Sequence, residues 1–225
     1  MKWIWVRHGE TDYNRARKYL GHTDVPLNAN GREQARQVAE LIQSESITRC
    51  YTSDLMRCME TARIISQSTR IAPIPVQALR ESDFGAWEGK TYEEIMGLAP
   101  ELASSWYQNP FEVSPPGGET LSAVGKRLDD WLRKEQQSFQ PEETILFVSH
   151  GGPVRWFQSK WVSEDEKQFW NVKGLLPGQA YAAVWSDNGR WIEGMNDHAA
   201  HTAQTRRNEL ESGKKNPGTA RYSAE

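Results

Sequence analysis

An arginine and a histidine stand side by side at Arg7-His8, followed by Gly9-Glu10-Thr11-Asp12-Tyr13 and then Asn14. They come directly after Trp3-Ile4-Trp5-Val6, an apolar run that reads as a buried strand. A cation and an imidazole are costly to keep at the end of such a strand without a partner. A phosphate ligand would explain both. A guanidinium forks onto phosphate oxygens, and an imidazole beside it can attack phosphorus. A second histidine lies in Ser149-His150-Gly151-Gly152, again after a short apolar run. The amides of Gly151 and Gly152 would open a helix, which is a natural anion site, and Pro153 suits its first turn. Arg57, in Ser53-Asp54-Leu55-Met56-Arg57, falls in the first turn of a helix that follows a strand. Glu81 precedes Phe84-Gly85-Ala86-Trp87-Glu88-Gly89 and offers a carboxyl group for acid–base work, in competition with Glu10, Asp83 and Glu88.

The elements that must position these groups follow from periodicity. Residues 1–7 read as a strand and 8–31 as a long polar loop. Ala35, Val38, Ala39 and Ile42 predict a helix over 32–46, and Ile47–Thr52 a strand. Ser53 and Asp54 can cap a helix with Leu55, Met59, Ala62 and Ile65 on one face. A short strand is expected at Val76–Leu79, placing Glu81 directly at the sheet edge. The stretch 80–118 reads as irregular, with one helix near 91–98. Thr120 caps a helix carrying Leu121, Val124, Leu128, Trp131 and Leu132; Thr144–Ser149 is a buried strand and Gly151–Val162 a helix. Tyr181–Trp185 and Trp191–Gly194 flank Asp187-Asn188-Gly189 as a hairpin. This order predicts an α/β fold, a three-layer α/β/α arrangement around a mostly parallel sheet. Ligands of such sheets bind beyond the carboxyl ends of the strands, where all four motifs would meet.

The bulk numbers narrow the partners. With 225 residues, one domain over 1–197 is expected, with 80–118 as a cap over the site and 198–225 as a polar, flexible tail. A net charge of −3 gives no global field for nucleic acid or an anionic membrane, so an anion site must be built locally. Only Trp3–Val6 precede Arg7, too short for a signal-peptide core or a membrane span, and a cytoplasmic protein is expected. Cys50 and Cys58 read as buried reduced thiols. His198 and His201 lie in the tail without a third ligand, so no metal is expected. Nothing in the residues sets an oligomeric state.

Each motif residue also has an ordinary structural reading. His8 could be a core histidine, Arg57 could pair with Glu60 or Asp54, and Asn14 could form a turn. Trp87, Trp106 and Tyr107 could wall a pocket or simply pack a core.

The set Arg7-His8-Gly9-Glu10-Thr11, Leu55/Arg57/Thr61/Ala62 and Ser149-His150-Gly151-Gly152, in that order, resembles the histidine phosphatase superfamily, also called phosphoglycerate mutase-like, from about residue 2 to 195. The resemblance implies a phosphoglycerate mutase-like fold and no cofactor. It implies that His8 is the nucleophile and forms a phosphohistidine. Arg7, Arg57 and His150 would hold the phosphoryl oxygens. Asn14 and the backbone at Leu20, Gly21 and Gly151 would complete the pocket. Glu81 would protonate the leaving oxygen and then activate water. Two guanidiniums and an imidazolium would stabilise the transition state without a metal.

The resemblance leaves three functions open: a metal-independent phosphomonoesterase acting on a small phosphate ester, a cofactor-dependent phosphoglycerate mutase, and a non-catalytic binder of phosphorylated ligands. A mutase needs extra cations at the mouth, yet between Glu81 and Lys126 the chain has only Lys90. A binder would need neither nucleophile nor acid. Hydrolysis is therefore expected. The stretch Leu79 to Thr120, with Trp106 and Pro116-Gly117-Gly118-Glu119-Thr120, resembles the α-ribazole phosphatase branch of cobalamin synthesis, and the same pieces occur in broad-specificity relatives.

Overall fold

The computed structural model describes residues 1–194. The tail expected over 198–225, with His198 and His201, lies outside the described residues. The helical and extended elements are β1 (Lys2–Arg7), α1 (Asp12–Arg15), α2 (Ala29–Leu41), β2 (Ile47–Thr52), α3 (Met56–Thr69), β3 (Pro73–Pro75), α4 (Tyr92–Leu98), α5 (Pro100–Gln108), α6 (Leu121–Glu135), β4 (Thr144–Ser149), α7 (Gly151–Trp156), β5 (Ala180–Trp185) and β6 (Trp191–Glu193). The strand order is β3-β2-β4-β1-β5-β6. The first four run parallel; β5 is antiparallel to β1, and β6 to β5.

Alternation along the central strands divides the core into two layers. Ile4, Val6, Cys50, Leu146 and Val148 face α2 and α3, where they meet Val38, Ile42, Cys58, Ala62 and Ile65. Trp3, Trp5, Tyr51, Ile145 and Phe147 face the other way, onto Leu128 and Leu132 of α6 and Val154 and Trp156 of α7. Trp3 and Trp5 are fully buried among phenylalanines, so much of the tryptophan content is core. A third, smaller cluster of Trp87, Ile95, Ala103 and Trp106 lies within the 80–118 segment.

Several expected boundaries move for local reasons. The loop 8–31 contains α1, closed by a reciprocal capping box between Thr11 and Asn14. The second helix starts at Ala29 rather than 32, because Asn28 caps it by accepting from the Gly31 N–H at 2.8 Å, and it ends at Leu41 rather than 46. Gly31, which reads as a loop residue, is helical and lies against the motif: a Cβ there would stand 2.1 Å from the Glu10 carbonyl oxygen. Leu55, not Ser53 or Asp54, is the N-cap residue of α3. The strand expected at Val76–Leu79 is not formed. The strand is Pro73–Pro75, and Gln77–Leu79 is a 3₁₀ turn. Val76 donates the last ladder bond to the Thr52 carbonyl at 2.8 Å, and the chain then turns so that Leu79 enters the core. Proline is tolerated at this edge because one side needs no donor. Helix α5 lies in the stretch 80–118, where only one helix near 91–98 is expected. The last turns of the helix expected to reach Val162 widen into a π-helical stretch over Phe157–Val162.

Candidate active site

The register of the two central strands brings the histidines together. Strands β1 and β4 pair in parallel with Arg7 opposite Ser149. The His8 N–H donates to the Ser149 carbonyl at 3.0 Å, so His8 and His150 leave the sheet at the same height. Their ring centroids are 5.1 Å apart, and both side chains are buried. His8 Nδ1 lies 2.7 Å from its neighbour's carbonyl oxygen, that of Gly9. A carbonyl can only accept, so Nδ1 carries the proton and the lone pair is on Nε2. The Arg57 Nε–H points at His150 Nδ1, 3.3 Å away, which makes that nitrogen the acceptor and puts the His150 proton on Nε2.

Arg57 sits in the first turn of α3 and is fully buried. A buried guanidinium must be saturated by acceptors. Besides His150, it donates to the Gly21 carbonyl at 2.7 Å and the Thr23 carbonyl at 3.0 Å. Pairing with Glu60 or Asp54 does not occur: Glu60 takes Arg32 at 3.2 Å, and Asp54 takes Arg80 at 2.6 Å. The strap 20–24 that supplies these carbonyls is held from the other side. Glu88 accepts from the N–H groups of Gly21 (3.0 Å), His22 (2.8 Å), Thr23 (3.3 Å) and Phe84 (3.2 Å). Asp24 accepts from the Met56 N–H at 2.6 Å and tethers the strap to the start of α3. Gly21 thus has its N–H on Glu88 and its carbonyl on Arg57, so its backbone supports Arg57. Gly21 has to be glycine here: a Cβ would stand 2.1 Å from the Ser82 carbonyl oxygen. Leu20 is buried beside it.

Arg7 donates to the Leu175 carbonyl at 2.7 Å, and a Cβ on Gly151 would lie 3.4 Å from its guanidinium carbon. Asn14 accepts from the Thr11 N–H at 3.1 Å, so its carbonyl end is engaged in the capping box.

Glu81 arrives from the irregular segment rather than from a strand end. Its carboxylate accepts from the Gly152 N–H at 3.1 and 3.2 Å and from its neighbour Ser82 at 3.0 Å. That joins it to the opening turn of α7, immediately after His150. The contact requires glycine at 152, since a Cβ would stand 2.2 Å from Glu81 Oε1. The competing carboxylates are engaged elsewhere: Glu88 on the strap, Glu10 on Asn28 at 2.8 Å, and Asp83 on the Gly85 N–H at 2.8 Å.

Burial, and then the positive charge of Arg57 and Arg7, push the His8 pKa well below 6.5. The same factors, with His8 and Arg127 added, lower His150. Both rings are therefore neutral at neutral pH, and the imidazolium expected at His150 needs the negative charge of a phosphate beside it to form. Cys58 Sγ lies 3.4 Å from His150 Nε2, and burial drives its thiol up to about 12, as it does that of Cys50, so neither is a thiolate. Among the described residues, no group of three or more His, Cys, Asp and Glu side chains is arranged to hold a metal ion.

Sequence reasoning missed the supports: Asp24, the hub role of Glu88, and the contacts of His22, Glu119 and Arg127 described below. Glu88 had a signal, its place in Trp87-Glu88-Gly89. Asp24 had none, because its partner is 32 positions away.

The chain is 39% identical over 155 residues, 68% of its length and 67% of the relative's, to phosphoglycerate mutase-like protein 4 of Arabidopsis thaliana. It is 32% identical over 171 residues to phosphoserine phosphatase 1 of Hydrogenobacter thermophilus, covering 76% of this chain and 81% of that one. Among solved structures, the α-ribazole phosphatase of Shigella flexneri matches with a TM-score of 0.78 at 27% identity, covering 88% of this chain and 96% of that one. The model of the histidine phosphatase superfamily (branch 1) matches residues 3–198, and the chain is a member of that superfamily.

Proposed function

We propose that this protein is a metal-independent phosphomonoesterase that works through a phosphohistidine on His8. The observation that carries this reading is the fixed tautomer of His8. It is a buried, neutral imidazole whose Nδ1–H is tied to Gly9, and its Nε2 lone pair faces a site holding Arg57, Arg7 and His150. In the first step Nε2 attacks phosphorus, the bond to the leaving oxygen breaks, and protonated Glu81 gives that oxygen its proton. Arg7, Arg57 and the His150 Nε2–H hold the equatorial oxygens, and an incoming dianion raises the pKa of His150 toward the charged form. In the second step the Glu81 carboxylate takes a proton from water, the hydroxide attacks phosphorus, and the P–N bond breaks. His8 is restored and inorganic phosphate leaves.

Hydrolysis is preferred over transfer because Lys90 is the single cation between Glu81 and Lys126, too little to retain a bisphosphorylated intermediate. Segment 80–118 acts as a cap beside this site. The proposed substrate is α-ribazole 5′-phosphate. Support comes from the similarity to the Shigella enzyme and to the adenosylcobalamin/α-ribazole phosphatase of Escherichia coli, 29% identical over 171 residues. An aromatic wall built from Trp87 and Trp106 does not add to it: both are buried against each other, with ring centroids 5.6 Å apart.

The test is steady-state phosphate release from p-nitrophenyl phosphate, α-ribazole 5′-phosphate, phosphoserine and 3-phosphoglycerate, with EDTA present. Preference for α-ribazole phosphate is expected. Broad, weak hydrolysis would keep the phosphatase and discard the substrate. A rate abolished by EDTA would overturn the metal-independent mechanism. Mutase activity with 2,3-bisphosphoglycerate, and no hydrolysis, would overturn the preference for water.

A further inference from the structure

The segment that carries Glu81 leaves the sheet after Val76, and its carbonyls lose their ladder partners. Buried carbonyls must find others. Here side chains supply them. Ser149 Oγ donates to the Leu79 carbonyl at 2.7 Å. Arg127, on α6, donates through NH1 to the Ala78 carbonyl at 2.8 Å and through NH2 to the Glu81 carbonyl at 2.7 Å. His22 Nε2 stands 3.1 Å from the same Glu81 oxygen. The guanidinium is aimed by Glu119, which it meets through Nε at 3.0 Å and NH2 at 3.1 Å. Glu119 in turn accepts from the Asp83 N–H at 3.0 Å and donates its own N–H to the Asp83 carbonyl at 2.8 Å. The Arg127–Glu119 pair therefore grips the chain on both sides of Glu81.

We propose that Arg127 is the positioning residue of the proton donor: it fixes the backbone of Glu81 so that the carboxyl, held at its far end by the Gly152 amide, stays in reach of the leaving oxygen. Arg127 meets Glu81 only at its main-chain carbonyl. An arginine is required because two carbonyls three positions apart are met by one planar fork, which a lysine cannot reproduce. Loss of the fork leaves the phosphate-holding side chains in place, since those sit on β1, on α3 and in the turn after β4; the charge of Arg127 also acts on His150, and Arg127→Lys keeps that charge while removing the fork. The effect should therefore fall on proton donation and not on phosphate binding.

This inference rests on the reading of Glu81 as the acid, so Glu81→Gln is measured beside it. The variants are Arg127→Met, which keeps the stem, and Arg127→Lys, which keeps the charge. Each is assayed on p-nitrophenyl phosphate, whose leaving group needs little protonation, and on phenyl and alkyl phosphates, whose leaving groups need it. For Arg127→Met, kcat should fall about 10- to 100-fold on the poor leaving groups and less than about 3-fold on p-nitrophenyl phosphate, with KM unchanged. Arg127→Lys should show the same selectivity at smaller size, and it carries the test alone if the methionine variant does not fold. Equal losses on all substrates, or a change in KM alone, would overturn the proposal and leave Arg127 as a plain structural residue. Selective loss in Glu81→Gln without it in the Arg127 variants would overturn this inference only. No selective loss in Glu81→Gln would overturn the acid assignment and the inference with it.

Discussion

The two sides of the site are built by different means. On the proposed phosphate side, His8, Arg7 and His150 sit within a residue or two of the ends of two paired parallel strands, and backbone register alone brings them together. On the proposed leaving-group side, Glu81 hangs on a chain that has left the sheet, and its position depends on Arg127, His22, Ser149 and the Gly152 amide. A ladder distributes its hold over many bonds, so the first arrangement tolerates the loss of any one. The second depends on a few side chains at long sequence separation. Substitutions at the strand ends should act through the reacting groups themselves, whereas those around Glu81, and in the strap that holds Arg57, can act from a distance.

The sharpest contrast comes from His8→Ala. It should lower turnover by several orders of magnitude on every phosphate ester, good or poor leaving group alike, because the proposed nucleophile is gone. Rapid-quench detection of phosphoenzyme should find none. Near-normal turnover in this variant would end the nucleophile assignment. On the other side, Gly152→Ala should be the strongest single change that leaves the reacting groups chemically intact. Its methyl would stand 2.2 Å from Glu81 Oε1 and must push the carboxyl away. A loss of about 100-fold is expected on alkyl phosphates and much less on p-nitrophenyl phosphate. A uniform loss would mean that the methyl disturbs the oxyanion side instead.

Glu88→Gln tests the strap that joins the two sides. The carboxylate collects four backbone N–H groups and presents the Gly21 and Thr23 carbonyls to Arg57. An amide keeps one acceptor oxygen and turns a donor toward N–H groups. Hydrogen bonds to a charged acceptor contribute about 1.5–3 kcal/mol each when buried, and this carboxylate is only half-buried, so a stability loss of about 1–2 kcal/mol is expected. With Arg57 less firmly held, KM should rise about 3- to 10-fold while kcat changes less. An unchanged KM would show that Arg57 is held well enough by α3 and His150 alone.

The same contrast explains which parts were legible in the sequence. The parallel core and the strand-end motifs were readable because apolar runs and the residues after them are local signals. Arg57 was placed correctly on its helix, but its partners, the Gly21 and Thr23 carbonyls, lie more than thirty positions away and leave no local mark. The strand expected at Val76–Leu79 failed for a related reason. Its residues have strand-like character, but the edge ladder ends at Val76, and the core takes Leu79 by turning the chain. Helix α2 begins early because Asn28 caps it, and Gly31, ordinarily a breaker, is helical there because it allows the helix to approach Glu10. Asn28 and Thr11 act as caps through side chains whose geometry a residue pattern only suggests.

The smallest expected effect separates the two sides by pH. His8 and His150 are buried among Arg7, Arg57 and, for His150, Arg127, and both are held well below 6.5. In the unfolded chain each takes up a proton near 6.5, whereas in the folded chain neither does. The unfolded state therefore binds more protons as pH falls below that value, and stability must fall with it. Above 6.5 this contribution is fully present. Glu119, where Arg127 overcomes the opposing effect of burial, and Asp54, lowered by Arg80, lose theirs only further down, as pH falls from the ordinary carboxylate range toward their lowered folded values. Urea midpoints measured from pH 7 to pH 5 should thus decline, with a slope of up to about one proton per histidine. His8→Gln should roughly halve that slope. Inorganic phosphate should flatten it, because a bound dianion lets the folded state accept the proton as well. A midpoint that stays level between pH 7 and pH 5 would mean that the histidines titrate normally in the folded protein, and the neutral nucleophile at the end of β1 would have to be abandoned.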